Sequence, residues 1–133
     1  MLISAARASG VSAYIEDGSN RWPAVHRLDA ANLYRLALEK APAGETLHAT
    51  GEQAIPFRSI AEKIGEKLNL PTKSVAATDA AAHFGNPFMA VVFSTDAPVS
   101  SEHTQQLLGW SPNHWTLLED LDNGDYFATP APA

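Results

Sequence analysis

Cysteine is absent from the 133-residue chain. This absence excludes disulfide bonds, thiol nucleophiles and cysteine-ligated zinc sites. The chain also lacks a cluster of basic residues: nine lysines and arginines stand against 15 aspartates and glutamates, for a formal net charge of −6. Without a basic patch the sequence offers no electrostatic footprint for a phosphate backbone, so we expect no nucleic-acid partner.

No apolar run approaches the roughly 20 residues that a helix needs to span a bilayer. The first ten residues also lack a basic region followed by a long apolar stretch. We therefore expect no membrane partner, no signal peptide and a cytoplasmic location. Hydrophobic residues nevertheless make up 45% of the sequence, enough for a core. Low complexity is confined to residues 128–133, which we expect to form a flexible tail behind one domain at 1–127.

Short strands and short helices follow one another along residues 1–127. Alternation of apolar and small or polar residues predicts strands at 11–15, 22–27, 46–50 and 73–77. Apolar spacing and end signals predict a helix ending at Gly10, two short helices before and after Pro87, and helices at 30–40, 56–68, 101–108 and 115–121. The strands do not alternate with helices in enough complete units to close a doubly wound sheet. The predicted fold class is therefore mixed α/β, with few short strands and several packed helices.

Three of these helices carry predictions about burial. Asp29 is the expected N-cap of the helix at 30–40. The apolar faces expected for the helices at 30–40 and 56–68 are, respectively, Ala30, Leu33, Tyr34, Ala37 and Leu38, and Phe57, Ile60, Ala61, Ile64 and Leu68. The stretch Phe84–Phe93 is nearly all apolar, which favours core or a surface packed on another part of a protein, with an apolar substrate cleft as the alternative. If that surface is left uncovered, we expect self-association.

The stretch at 18–39 reads GSNRWPAVHRLDAANLYRLALE. It resembles a segment of NAD(P)-dependent epimerase/dehydratase-like short-chain reductases, in which a Gly-Asp-Gly-like turn precedes a Val-His-hydrophobic-x-Asp strand end and a helix. Later stretches resemble the same family in the same order: Leu47–Glu52, Ile55–Gly65, Ser101–Trp110 and Leu117–Leu121. The resemblance covers about residues 1–127. It implies the C-terminal, substrate-side part of an extended or atypical Rossmann-type reductase with an incomplete nucleotide-binding sheet.

The same resemblance implies motifs that this sequence does not contain. The family holds NAD(P) on a Gly-rich turn and uses a catalytic tyrosine with a lysine four residues later. No Gly-x-Gly-x-x-Gly occurs here, and the residues four after Tyr14 and Tyr34 are Gly18 and Leu38. We expect no catalytic residue and no cofactor in this chain alone, and hence a truncated, inactive oxidoreductase-like protein. The alternative is a non-catalytic α/β module that binds a partner protein or small ligand.

The candidate substrate-binding residues are Asn20, Arg21 and Trp22, which follow a turn and precede a strand. The resemblance implies that this loop faces the substrate cleft, where an arginine could grip an anionic group of a small-molecule substrate. The alternative is an ordinary surface turn with a tryptophan packed behind it. One residue departs from the family pattern: Glu16 stands where glycine is favoured before the Asp-Gly turn.

Other polar residues give weaker signals. His26 and Asp29 are close in sequence and could form a general-base pair, although a helix cap and a strand residue are the favoured interpretations. No metal site is predicted, because no metal-ligand spacing links the remaining histidines, His48, His83, His103 and His114. A serine-hydrolase elbow is absent around the serines, and the acidic residues near 119–125 lack the order of a calcium loop.

Overall fold

The structure is a computed structural model that describes residues 1–128. Within these residues the chain forms seven α-helices and four β-strands. In chain order they are α1 (Leu2–Ser9), β1 (Ser12–Ile15), β2 (Arg21–Ala24), α2 (Arg27–Lys40), β3 (Glu52–Pro56), α3 (Phe57–Leu68), β4 (Thr72–Val75), α4 (Ala77–His83), α5 (Pro87–Ser94), α6 (Glu102–Leu108) and α7 (Leu117–Asn123). The predicted mixed α/β class is confirmed. The predicted flexible tail lies almost entirely outside the described residues. No helix of residues 1–128 is long and apolar enough to cross a membrane.

The strands form two separate two-stranded sheets. Strands β1 and β4 are parallel, with Ser12 opposite Thr72 and Ile15 opposite Val75. Strands β2 and β3 are antiparallel, and their register shifts between Trp22 and Ala24. The second sheet leads directly into α3, because β3 ends at the residue before that helix begins.

Helix α3 lies at the centre of the fold. Phe57, Ile60, Ala61 and Ile64 are all at most 4% exposed, which confirms the predicted apolar stripe for these four residues. The helix approaches the parallel sheet closely: the Ser12 hydroxyl donates to the Ala61 carbonyl over 2.6 Å. Phe57 joins one core cluster with Phe84 and Phe93, whereas Ile60 and Ile64 join a second one with Leu121.

The predicted start of α2 was wrong by three residues. The helix begins at Arg27, and the Nδ1 atom of His26 accepts a hydrogen bond from the Leu28 amide over 3.2 Å, so His26 is the N-cap. Asp29 is instead a buried residue in the first turn. The predicted strand at 46–50 was also wrong, since these residues form an irregular segment and the strand is β3 further along.

The predicted apolar face of α2 was wrong for two residues. Leu33 and Leu36 are buried in a third core cluster with Trp110, whereas Tyr34 is 70% exposed and Leu38 is 91% exposed. Apolar residues lie on most sides of this helix, so their spacing does not define one face.

The predicted burial of the stretch 84–93 holds only for part of it. Phe84 and Phe93 are buried, but Phe88 is 70% exposed and Val91 is 63% exposed. Helix α5 is apolar on every side and packs against α4 and β1, which leaves its outer face uncovered within residues 1–128.

Candidate functional site

A tight turn directly precedes the three predicted substrate-binding residues, Asn20, Arg21 and Trp22. Glu16 has φ 52° and Gly18 has φ 68°, so both adopt the left-handed conformation that favours glycine. A Cβ atom on Gly18 would lie 2.6 Å from the Cβ atom of Arg58 and 2.8 Å from a ring carbon of Tyr14. The left-handed backbone at position 16 explains why the family pattern quoted above favours glycine there, although this chain has Glu16.

Asn20 joins this turn to the end of α5. Its side-chain amide donates to the carbonyl of Phe93 over 2.9 Å and to that of Thr95 over 3.2 Å. Its own carbonyl accepts from the Phe57 amide over 2.8 Å. Asn20 therefore fixes the position of the segment that follows α5.

Arg21 forms a two-pronged ion pair with Asp96. Its Nε and Nη2 atoms lie 3.0 and 2.8 Å from the two carboxylate oxygens of Asp96, and its backbone amide donates to the same carboxylate over 2.7 Å. The hydrogen bonds from the guanidinium and the amide lower the pKa of Asp96 to about 2, and the same pairing raises the pKa of Arg21. Both side chains are nearly half exposed, at 46% and 45%.

Trp22 packs its ring against the aromatic core and borders a shallow depression. Its ring centroid lies 5.0 Å from that of Phe57 in an edge-on arrangement and 5.7 Å from that of Phe93. The depression has a volume of about 370 Å³ and is lined by Trp22, Pro23, Val92, Thr95 and Ala97. Its walls are mostly apolar.

Asn20 lies just before β2, whereas Arg21 and Trp22 are the first two residues of that strand, so the expectation that all three precede the strand was wrong for two of them. The structure brings the three residues together with the segment 95–97 that follows α5. Asn20 holds this segment by its side chain, Arg21 holds it by both side chain and backbone, and Trp22 shares a depression with it. Asp96 lies 75 positions from Arg21, so no local sequence pattern could reveal the pairing. The substrate-binding role of the three residues stays a prediction.

A second constellation centres on the buried carboxylate of Asp29. It accepts hydrogen bonds from the backbone amides of Asn113 and His114 over 3.2 and 3.0 Å, and pairs with Nδ1 of His114 over 2.6 Å. The Trp110 indole donates to the Asp29 carbonyl over 3.0 Å. Burial raises the pKa of Asp29, but the hydrogen bonds from His114 and Asn113 outweigh it and lower the pKa below its usual value.

The hypothesis that His26 pairs with Asp29 was wrong. His26 caps α2 and stacks on His114, with ring centroids 4.8 Å apart and planes 9° from parallel, whereas His114 is the histidine paired with Asp29. Because His114 lies 85 positions from Asp29, their spacing in the sequence gives no signal of a pair.

A cavity of about 730 Å³ opens beside the two stacked histidines. Its lining includes His26, His114, Trp115, Leu28, Asp120 and Tyr126. The Tyr126 hydroxyl donates to the Asp120 carboxylate, which raises the pKa of Tyr126. Within residues 1–128 no three His, Asp or Glu side chains are grouped so that they could hold a metal ion. The cavity combines aromatic walls with a few polar groups, as small-ligand sites do.

The fold is similar to part of Rossmann-type dehydrogenases. The TM-score is 0.64 to dTDP-glucose 4,6-dehydratase (DesIV) of Streptomyces venezuelae with NAD and TYD bound, at 17% identity. It is 0.60 to RMD of Pseudomonas aeruginosa complexed with NADPH, at 15% identity, and 0.57 to gox2253, at 22% identity. The match covers 84% to 92% of this chain but only 36% to 39% of those chains.

Two yeast proteins are close relatives in sequence. An uncharacterized protein of Schizosaccharomyces pombe is 53% identical over 127 residues, and one of Saccharomyces cerevisiae is 50% identical over 121 residues. These matches cover 96% and 91% of this chain. The chain spans 42% and 40% of the length of these relatives. No family model matches the chain.

Proposed function

We propose that this chain is the substrate-side portion of an NAD(P)-dependent oxidoreductase or epimerase of the short-chain dehydrogenase/reductase, epimerase/dehydratase type. NAD(P) is bound by polypeptide outside these 133 residues, and the chain alone is inactive. The observation that carries the proposal is the pattern of coverage: nearly all of this chain matches about two fifths of proteins solved with NADPH or NAD bound.

The parallel sheet supports this proposal. The Ser12 amide donates to the Pro71 carbonyl just before β4, and the Glu16 amide donates to the carbonyl of Val75, the last residue of β4. The intervening Ala13 therefore directs its backbone groups toward the opposite edge of β1. Within residues 1–128 no third strand pairs with that edge. Parallel sheets are almost always larger and covered on both faces, so this edge is the natural place for further strands.

The sequence motifs support it as well. The chain contains no Gly-x-Gly-x-x-Gly turn for the pyrophosphate of a dinucleotide and no tyrosine followed four residues later by lysine. Both functions are therefore assigned to the remainder of the protein. Asn20, Arg21 and Trp22 are assigned to the substrate side, beside the depression at Trp22.

Cofactor binding tests the proposal directly. NADPH fluorescence is titrated with the purified chain, and then with the chain co-expressed with the part of the S. pombe relative that the chain does not match. We expect no saturable binding by the chain alone and saturable binding by the co-expressed pair. Tight binding of NADPH or NADH by the chain alone contradicts the assignment of the cofactor to other polypeptide.

The second candidate function is a non-catalytic module that binds a small ligand or a partner protein. The cavity beside His26 and His114 favours it, because its size and mixed lining suit a small molecule. A monomer that unfolds in one sharp transition and gives no cofactor binding in the co-expressed pair supports this function over the first. An enzyme that uses the His114–Asp29 pair alone would instead show activity that disappears in His114→Ala while the fold persists.

A further inference from the structure

Arg21 is the cation among the three proposed substrate-side residues, and it already forms an ion pair within the chain. Both oxygens of the Asp96 carboxylate contact the guanidinium, and one of them also accepts the Arg21 amide. A two-pronged arginine–carboxylate pair uses the same donor geometry that would grip a carboxylate or phosphate of a substrate. An anionic substrate group must therefore compete with Asp96 for Arg21.

Hydrogen bonds on both sides of Asp96 hold it next to Arg21, where it competes with a substrate anion. The Ala97 amide donates to the Arg21 carbonyl over 2.8 Å, and the Asn20 side chain binds the Thr95 carbonyl on the other side. Asp96 lies between these two anchors. A tethered group acts at a high effective concentration, so a dissolved anion at millimolar concentration competes poorly with it.

The neighbouring depression has an uncharged lining. Trp22, Pro23, Val92, Thr95 and Ala97 form its walls, and their only polar side-chain groups are the Trp22 indole N–H and the Thr95 hydroxyl. Burying a charge in such surroundings is costly unless it is paired, whereas an apolar group gains by leaving water.

From this geometry we infer that the substrate of this site is an uncharged small molecule, whose apolar group occupies the depression at Trp22. Asp96 is the specificity-determining residue, because it occupies Arg21 and thereby disfavours substrates with a phosphate or carboxylate group at this position. The inference rests on the proposed function and names the substrate class for the same three residues.

Two probes of matched shape test this inference. Benzyl alcohol and benzoate share a phenyl ring and differ in charge, and inorganic pyrophosphate reports on anion binding without a ring. Each is titrated into the chain while the NMR signals of the Trp22 indole N–H and the Arg21 Nε–H are followed. For the unmodified chain we expect benzyl alcohol to shift the Trp22 signal, benzoate to bind at least about tenfold more weakly, and pyrophosphate to leave the Arg21 signal in place.

The variant Asp96→Asn frees the guanidinium while keeping an oxygen that can accept the Arg21 amide. We expect its affinity for benzoate and pyrophosphate to rise about tenfold. Asp79→Asn, which removes the same charge from the exposed first turn of α4, is the matched control and should leave all affinities unchanged. The double variant Arg21→Gln/Asp96→Asn should lose the gain.

Three results overturn the inference. The first is benzoate or pyrophosphate binding to the unmodified chain as tightly as to Asp96→Asn. The second is an equal gain in Asp79→Asn. The third is benzyl alcohol binding without a shift of the Trp22 signal. These results are independent of the cofactor titration: binding of NADPH by the chain alone defeats the proposed function, whereas anion capture by Arg21 in the unmodified chain defeats only the substrate class.

Discussion

Two aspartates illustrate how differently a carboxylate is used in this chain. Asp29 is 4% exposed and carries bonds from residues of the chain's last quarter. Asp96 is exposed and holds one arginine. Removal of a buried carboxylate leaves its hydrogen-bond donors unpaired away from water, whereas an exposed ion pair contributes little to stability. The two residues therefore have distinct expected roles in stability and in recognition.

Replacement of Asp29 should destabilise the fold. Asp29→Asn presents an amide N–H₂ group to backbone amides that need an acceptor, and weakens the contact with His114. We expect a loss of about 1–3 kcal/mol in the free energy of unfolding. Urea denaturation followed by circular dichroism measures it, with Asp79→Asn as the control. An equal stability of both variants would show that the Asp29 contacts contribute nothing.

The same aspartates should make stability fall in acid. Asp96 has a pKa of about 2 in the folded chain, well below the ordinary value of 3.8 for an aspartate, and the pKa of Asp29 is also lowered. A group whose pKa is lower in the folded state stabilises the fold above its unfolded pKa, and this stability is lost as the pH falls toward the folded value. The free energy of unfolding should therefore decrease as the pH falls from near 4 to about 2.

Urea midpoints measured across this pH range test whether Asp96 contributes to the loss of stability in acid. The decrease should be slightly smaller in Asp96→Asn than in the unmodified chain, because one of the titrating groups is absent and its ion pair is exposed to solvent. Identical pH profiles for the two proteins would rule out a contribution from Asp96.

The small size of Gly65 allows helix α3 to pack closely against β4. A Cβ atom at this position would lie 2.5 Å from the Thr72 hydroxyl oxygen and 3.0 Å from the Leu70 carbonyl oxygen. Gly65→Ala should therefore push α3 away from β4 and cost about 1–3 kcal/mol, despite the higher helix propensity of alanine. Thermal unfolding checks this, with Glu66→Ala on the exposed side of the helix as the control. A more stable Gly65→Ala would show that the two elements tolerate the added methyl group.

The elements also show what the sequence could and could not predict. Helix α3 was predicted to within one residue, because its apolar residues form one stripe and Pro56 precedes it. The exposed side of α2 was predicted wrongly, because apolar residues lie on most sides of that helix, and the exposed side of α5 was not predicted, because that helix is apolar all round. Burial there depends on which distant elements pack against the helix, and a local pattern does not contain that information.

The candidate site also contains residues that the sequence could identify and partners that it could not. Asn20, Arg21 and Trp22 are contiguous, and the turn before them together with the family resemblance singled them out as candidates. Their partners on the segment 95–97 follow α3, α4 and α5 in the chain, and no sequence spacing rule connects them to residues 20–22. The same holds for His114, which sequence proximity could not match to Asp29 in preference to His26.

The chain expressed alone should self-associate through α5. Phe88 and Val91 are 70% and 63% exposed on its outer face, and exposed apolar surface favours association. Phe88→Ser/Val91→Ser should increase the monomer fraction in sedimentation velocity at equal concentration. Tyr34→Ser/Leu38→Ser on α2 is the control, since it also removes two exposed apolar side chains. Equal effects of the two double variants would show that α5 has no special part in association.

The bonds between Asp29 and residues 110–114 also bear on how the chain folds. They close a loop of more than 80 residues, so their formation carries a large entropic cost and depends on the elements between them being in place. Until Asn113 and His114 have been synthesised, the first turn of α2 contains a carboxylate without its partners. The final quarter of the polypeptide thus supplies the hydrogen-bond partners of a helix near its beginning. A chain that ends before Asn113 would leave the Asp29 carboxylate in α2 without these partners.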